Sequence, residues 1–158
     1  MVELAIVLPL LLFLSLAVSE GAYMIRVHQV LNNAAREGAR LAVQQENYDP
    51  NNTLTNCAGG GGIPTAALCQ AVVNYALNNG ISSGTGENQC NGPSGTAGLD
   101  ITINQAYVIP DPKTNVNSDG TQVTVICPYR LNFLPRVPGF GITGTVNLKG
   151  MVVFRNFY

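Results

Sequence analysis

The chain has 158 residues, room for about one domain. Charged residues make up only 11% of it, against roughly 25% in an ordinary soluble domain. Nine acids against eight bases leave a net charge of −1, which excludes a basic nucleic-acid binder, an acidic disordered tail and a highly charged coiled coil. There are seventeen asparagines, as many as all the charged residues together, with 17 glycines, 9 prolines and one histidine. The polar surface is therefore built from amides and hydroxyls, and a histidine-rich metal site is excluded.

Hydrophobicity is concentrated at the front. Sixteen residues from Leu4 to Ser19 carry no charge, and counting Met1, Val2 and the stretch from Gly21 to Ile25 brings the run to the ~20 residues that span a bilayer as a helix. A cleaved signal peptide needs a basic leader and a small-residue cleavage site, yet no Lys or Arg precedes Arg26. Arg26, Arg36 and Arg40 follow the run, which by the positive-inside rule points that side to the cytoplasm. The four cysteines and the sequon Asn51-Asn52-Thr53, a candidate glycosylation site at Asn51, instead suit an exported domain. Removal of a basic leader from in front of Met1 reconciles the two, so a processed chain is expected.

Beyond the apolar run the pattern turns amphipathic. Met24, Val27, Leu31, Ala34, Gly38 and Leu41 recur at steps of three and four. The spacing predicts one helix from about residue 2 to Gln45, about 65 Å long, with Pro9 removing one backbone hydrogen bond inside it and kinking or loosening a turn. This gives a stalk over 1–46, apolar over about 1–25 and amphipathic over about 26–46, followed by a head over 47–158. Ala34, Gly38 and Ala42 form a small-residue stripe that admits a close neighbour, either the chain's own sheet or another stalk.

Residues 47 to 63 read as loop, ending in Gly59 to Gly62. A second helix is predicted from Thr65 to Asn79, opened by Pro64 and stopped by Asn79-Gly80; its Leu68, Val72 and Tyr75 share one side. Residues 81 to 98 read as an irregular loop. Three strands follow, in which Leu99, Ile101, Ile103, Tyr107 and Ile109, then Val123, Val125, Cys127, Tyr129, Leu131 and Phe133, then Ile142, Val146, Leu148, Val152 and Phe154 alternate with polar residues. Period-two alternation implies antiparallel strands with one buried face. The expected fold is α+β: a long hydrophobic helix, then a head with one helix packed on a sheet of about three strands.

Cys57, Cys69, Cys90 and Cys127 contain no Cys-x-x-Cys and lie near no histidine, which disfavours zinc. Two disulfides are expected, with free buried thiols as the alternative. Cys57 lies in the loop leading to the second helix, where Cys69 sits. Cys127 lies about 20 Å along its strand, which brings it level with the end of that helix and with Cys90 if the two run parallel. The expected pairs are Cys57–Cys69 and Cys90–Cys127. No catalytic residues, metal ligands or cofactor are assigned. His28 is remote from any nucleophile, the carboxylates are scattered, and Gly59 to Gly62 lack the Lys-Ser/Thr of a phosphate loop.

Val2-Glu3-Leu4-Ala5-Ile6-Val7-Leu8-Pro9, then Ser19-Glu20-Gly21, then Asn32-Asn33-Ala34-Ala35-Arg36-Glu37-Gly38-Ala39-Arg40 resemble the TadE-like pseudopilins; residues 123–135 are similar to the same family's C-terminal strand region. The resemblance implies a subunit of the tight-adherence (Tad) branch of type IV pili, trimmed by a prepilin peptidase, held in the bacterial inner membrane and then built into an extracellular filament. The acidic residue stands third here, where the family usually carries it about fifth in the mature chain. Glu3 is expected to meet the α-amino group of Met1 on a neighbouring copy, since a carboxylate in an apolar bundle is expensive alone; the other reading is an acid at the membrane interface. Glu20 is assigned either a second contact between stalks or an interfacial position. The partners implied are other copies of the chain, the pilus assembly machinery, the peptidase and the inner membrane, with no nucleic acid. The alternatives are an accessory pseudopilin that primes assembly, and a membrane-tethered ligand-binding or enzymatic domain.

Overall fold

The computed structural model describes residues 2–44, 55–57, 63–81, 90–93, 96–110, 117–131 and 144–156. Its elements in chain order are α1 (Val2–Ala42), β1 (Thr55–Asn56), α2 (Ile63–Asn78), β2 (Asp100–Ile109), β3 (Ser118–Arg130) and β4 (Thr145–Arg155). The fold is α+β. The strands form one antiparallel sheet in the order β1-β2-β3-β4, and α1 and α2 cover one face of it.

The helix α1 is unbroken through Pro9. It ends at Ala42, a turn short of the expected stop, and the cause lies in the sheet. Gln105, buried in β2, donates its side-chain amide to the Ala42 carbonyl at 3.0 Å, satisfying one of the acceptors a helix leaves open at its end. The end of α2 matches expectation: Gly80 takes a φ of 85°, its N–H donates to Leu77 O, and Ile81 N–H donates to Ala76 O. That is a Schellman stop, with Ile81 buried against the helix it terminates.

Three contacts fix how α1 lies on the sheet. A Cβ on Gly150 of β4 would fall 2.7 Å from the Leu31 carbonyl, and one on Gly38 would fall 2.5 Å from Val72 of α2 and 3.4 Å from Val123 of β3; the third contact is Gln105 of β2 to Ala42. Gly150 pairs with Val125, so each step to the next strand moves two residues along the sheet. At ~3.4 Å per strand residue and ~4.8 Å between strands, Leu31 to Ala42 covers about 16 Å, which is what eleven helical residues supply. The helix therefore crosses the strands at roughly 35° and leaves the sheet past β4. Antiparallel α2 packs beside it, with Val72 at Gly38 and Gly80 near Arg26.

α2 starts at Ile63, two residues before the expected Thr65, and the strands depart from the sequence reading at four places. Thr55–Asn56, read as loop, adds a two-residue edge strand beside Ile103 and Thr102. β3 begins at Ser118, five residues before Val123, where the alternation of the second expected strand starts. A bulge sets Gln105 and Ala106 against Thr121, because Asn104 pairs with Gln122 and Tyr107 with Gly120. One extra residue reverses the alternation, so Tyr107 and Ile109 turn to the face opposite Ile101 and Ile103. On the edge strand β4, Phe154 is 39% exposed, since α1 crosses at Gly150 and does not extend over the strand's end. Phe133 and Ile142 lie outside the described residues.

Gly150→Val places a branched Cβ with its two methyl groups against the Leu31 backbone and is expected to destabilise the head by about 1–3 kcal/mol. Gly21→Ala, with nothing within 4 Å of the new carbon, is expected to be neutral or stabilising by up to about 1 kcal/mol. Thermal unfolding of the full chain in detergent, followed by near-ultraviolet circular dichroism, separates the two.

Candidate functional site

The surface that stands out is the front of α1. Every large apolar side chain described between Leu4 and Leu14 is exposed, Leu4 at 71%. Leu16 is half-buried and Val18 exposed again. A typical monomer's largest apolar patch is a few hundred Å²; here an entire helical rod is uncovered. Its hydroxyls need no water, because Ser15 donates to Leu12 O and Ser19 to Leu16 O, both at 2.8 Å. By length and composition α1 could cross a bilayer, and its apolar stretch is almost wholly unburied by the head.

At Glu20 the surroundings change. Its side chain is 2% exposed and engaged within its own chain. From there on α1 joins the core. Val27, Leu31, Ala34, Ala35, Ala39 and Ala42 are buried, so the small-residue stripe at Ala34, Gly38 and Ala42 packs on the chain's own α2 and sheet. At Gly38 the approach of α2 is close: a methyl group there would fall 2.5 Å from a Val72 side-chain carbon, so one of the two would have to shift. The outward side of this half carries Arg26, His28, Asn33, Arg36 and Arg40. His28 is hydrogen-bonded to Asn32 one turn on. Arg40 donates to Glu37 at 2.7 and 3.1 Å, and this guanidinium holds the Glu37 carboxyl below its ordinary range.

Glu3 and Pro9 lie on α1, Glu3 in its first turn. Met1 and Asn51 lie outside the described residues. The cysteines pair as Cys57–Cys69, with Cα atoms 5.7 Å apart, and Cys90–Cys127, at 4.9 Å. Backbone pairing brings the second couple together. Cys90 bridges antiparallel to Tyr129, and Asn91 N–H donates to Pro128 O. Gly98, at a φ of 72°, lets the Cys90 carbonyl pass where a side chain would stand. No cysteine is free, and among the described residues no three His, Cys, Asp or Glu side chains cluster as metal ligands.

With the bare rod and its docking defined, comparison with known families becomes informative. Residues 1–40 match the family model described as TadE-like protein. The match covers the stalk alone and stops inside the docked half of α1. A search of curated proteins and a search of solved structures each returned no match. Reading the sequence by itself missed Gly150 and Gln105, which seat and cap the stalk. A lone glycine within a strand pattern and one long amide on the apolar parity of β2 were the available signals.

The two disulfides differ in access. Cys57 and Cys69 are half-buried, whereas Cys90 and Cys127 are at most 1% exposed. Limiting phosphine followed by alkylation is expected to label Cys57 and Cys69 at least about ten times faster than the other pair, as read by peptide mass mapping.

Proposed function

We propose that this chain is a structural, non-enzymatic subunit of a Tad-like type IV filament, assembled through the front half of α1 and used for adhesion or surface colonisation. The observation that carries the reading is the uncovered rod from Leu4 to Val18. Burying a large apolar side chain is worth about 1.5–3 kcal/mol. Ten such side chains on the rod therefore favour burial by roughly 15–30 kcal/mol as an upper estimate, more than a typical domain's whole stability of 5–15 kcal/mol. Water cannot be the working solvent of this surface. Lipid accepts it before assembly and sister stalks accept it afterwards.

Within such a bundle a carboxylate at Glu3 seeks a positive partner, and the amino terminus of an adjacent copy supplies one. That pairing would set the axial offset between copies, which van der Waals packing among leucines leaves loosely defined. The match of residues 1–40 to TadE-like proteins supports this role, and two disulfides suit a head displayed in an oxidising space. The route runs from the bacterial inner membrane, after trimming by a prepilin peptidase, through the assembly machinery to the cell exterior.

Glu3→Gln and Glu3→Ala are expected to reduce sheared filaments by tenfold or more in electron micrographs, while the head's melting temperature stays unchanged. Wild-type numbers of filaments from both variants would remove Glu3 from assembly.

A further inference from the structure

The crossing geometry assigns each strand residue a height along the axis of α1. With Leu31 over Gly150, strand residues advancing by ~3.4 Å and strands ~4.8 Å apart, Arg130 of β3 and its partner Thr145 of β4 fall level with about residues 22 to 24 of α1. Arg26 lies at nearly the same height, exposed, its guanidinium beside Gly80 at the end of α2. Arg130 is exposed as well. The carboxylate at this level among the described residues is Glu20, which is buried. Asp119, at the start of β3, falls about 30 Å higher, near Arg155 and the Glu37–Arg40 pair. Among the described residues, the exposed charges at the foot of the head are therefore positive, and those at its top are mixed.

The front of the stalk, residues 2 to 19, is about 27 Å long as a helix, close to the ~30 Å hydrocarbon core of a bilayer. When it fills that core, the foot of the head meets the headgroup layer. We propose that Arg26 and Arg130 form a lipid-binding foot that seats the head on anionic phospholipid before assembly. This rests on the reading that the stalk occupies a bilayer at that stage. Guanidinium groups suit the task because they donate two parallel hydrogen bonds to one phosphate and stay charged at any physiological pH. Near an anionic surface each is worth about a fivefold preference over neutral lipid. The arrangement also accounts for basic residues on the head's side of the apolar run, which the positive-inside rule alone leaves unexplained. Pulling a subunit from lipid into a filament would then break these contacts, and a leaflet richer in anionic lipid would hold it longer.

The chain has no tryptophan, so single reporters can be placed in the full-length protein at Thr145→Trp (foot), Asp119→Trp (top) and Phe13→Trp (stalk). The vesicles are phosphatidylcholine, alone or with about a third phosphatidylglycerol, and carry a headgroup spin label or brominated acyl chains as quencher. Headgroup quenching of the foot reporter is expected to exceed that of the top reporter about threefold or more in the anionic vesicles. It should fall markedly, while staying above the top reporter's because the inserted stalk alone keeps the foot near the headgroups, in neutral vesicles, in 1 M salt, where screening acts within ~3 Å, and in the Arg26→Gln/Arg130→Gln variant. Equal quenching of foot and top, or foot quenching that ignores lipid charge, overturns the proposal while leaving the membrane reading intact, provided the Phe13→Trp reporter is quenched by bromine. A stalk reporter that bromine does not quench overturns the membrane reading itself, and the foot with it.

Discussion

One helix must satisfy two surroundings that want opposite things of it. From Met24 to Ala42, α1 is the largest single contributor to the head's core, lying over β4, β3 and β2 and against α2. From Leu4 to Val18 the described large apolar side chains of the same helix are exposed, all but Leu16. The two halves share one hydrogen-bonded backbone, and the docked half is fixed by close approach of backbone to backbone at Gly150 and by the Val72 and Val123 side chains closing on Gly38. The angle between rod and head is therefore a property of the fold. Whatever holds the rod, lipid or sister stalks, also orients the head.

The sequence made the broad plan legible because that plan depends on periodicity. The three-and-four spacing of Val27, Leu31, Ala34, Gly38 and Leu41, the alternation of Val123, Val125 and Cys127, and the Asn79-Gly80 stop each follow from local geometry and survive in the structure. Tyr107 and Ile109 did not follow, because the bulge at Gln105 and Ala106 reverses strand parity without any glycine or proline to announce it. The same bulge sets Gln105 under the end of α1, and its role as a cap is visible only once β2 and α1 are in contact across 63 residues of sequence. Glu20 is the other instance. A lone acid at the end of an apolar run reads as interfacial, and its burial depends on long-range packing that composition does not encode. The disulfide couples were expected, but the route to Cys90–Cys127 differs from the reasoning that pointed to it. The Cys90 segment is held by pairing with Pro128 and Tyr129, not by its height on a parallel helix.

The head itself is economical in charge. Its cross-links tie the long connections to α2 and β3, where loops would otherwise loosen the sheet's covering. The outward sheet face offers Thr102, Asn104, Gln122 and Thr124, groups that hydrate well and carry no net field. A surface of this kind suits repeated display at close spacing, since neighbouring heads of low charge repel one another little.

The central claim, that the bare rod is covered by other copies of itself, is tested most directly by a photo-reactive benzoyl-phenylalanine at position 13 in cells assembling filaments. The account predicts that illumination joins the chain to its own kind, as a ladder of dimers and higher multiples in the sheared filament fraction, with the cross-link mapping to stalk residues between 2 and 19. Adducts to lipid alone, with no chain-to-chain product in any fraction, would contradict it.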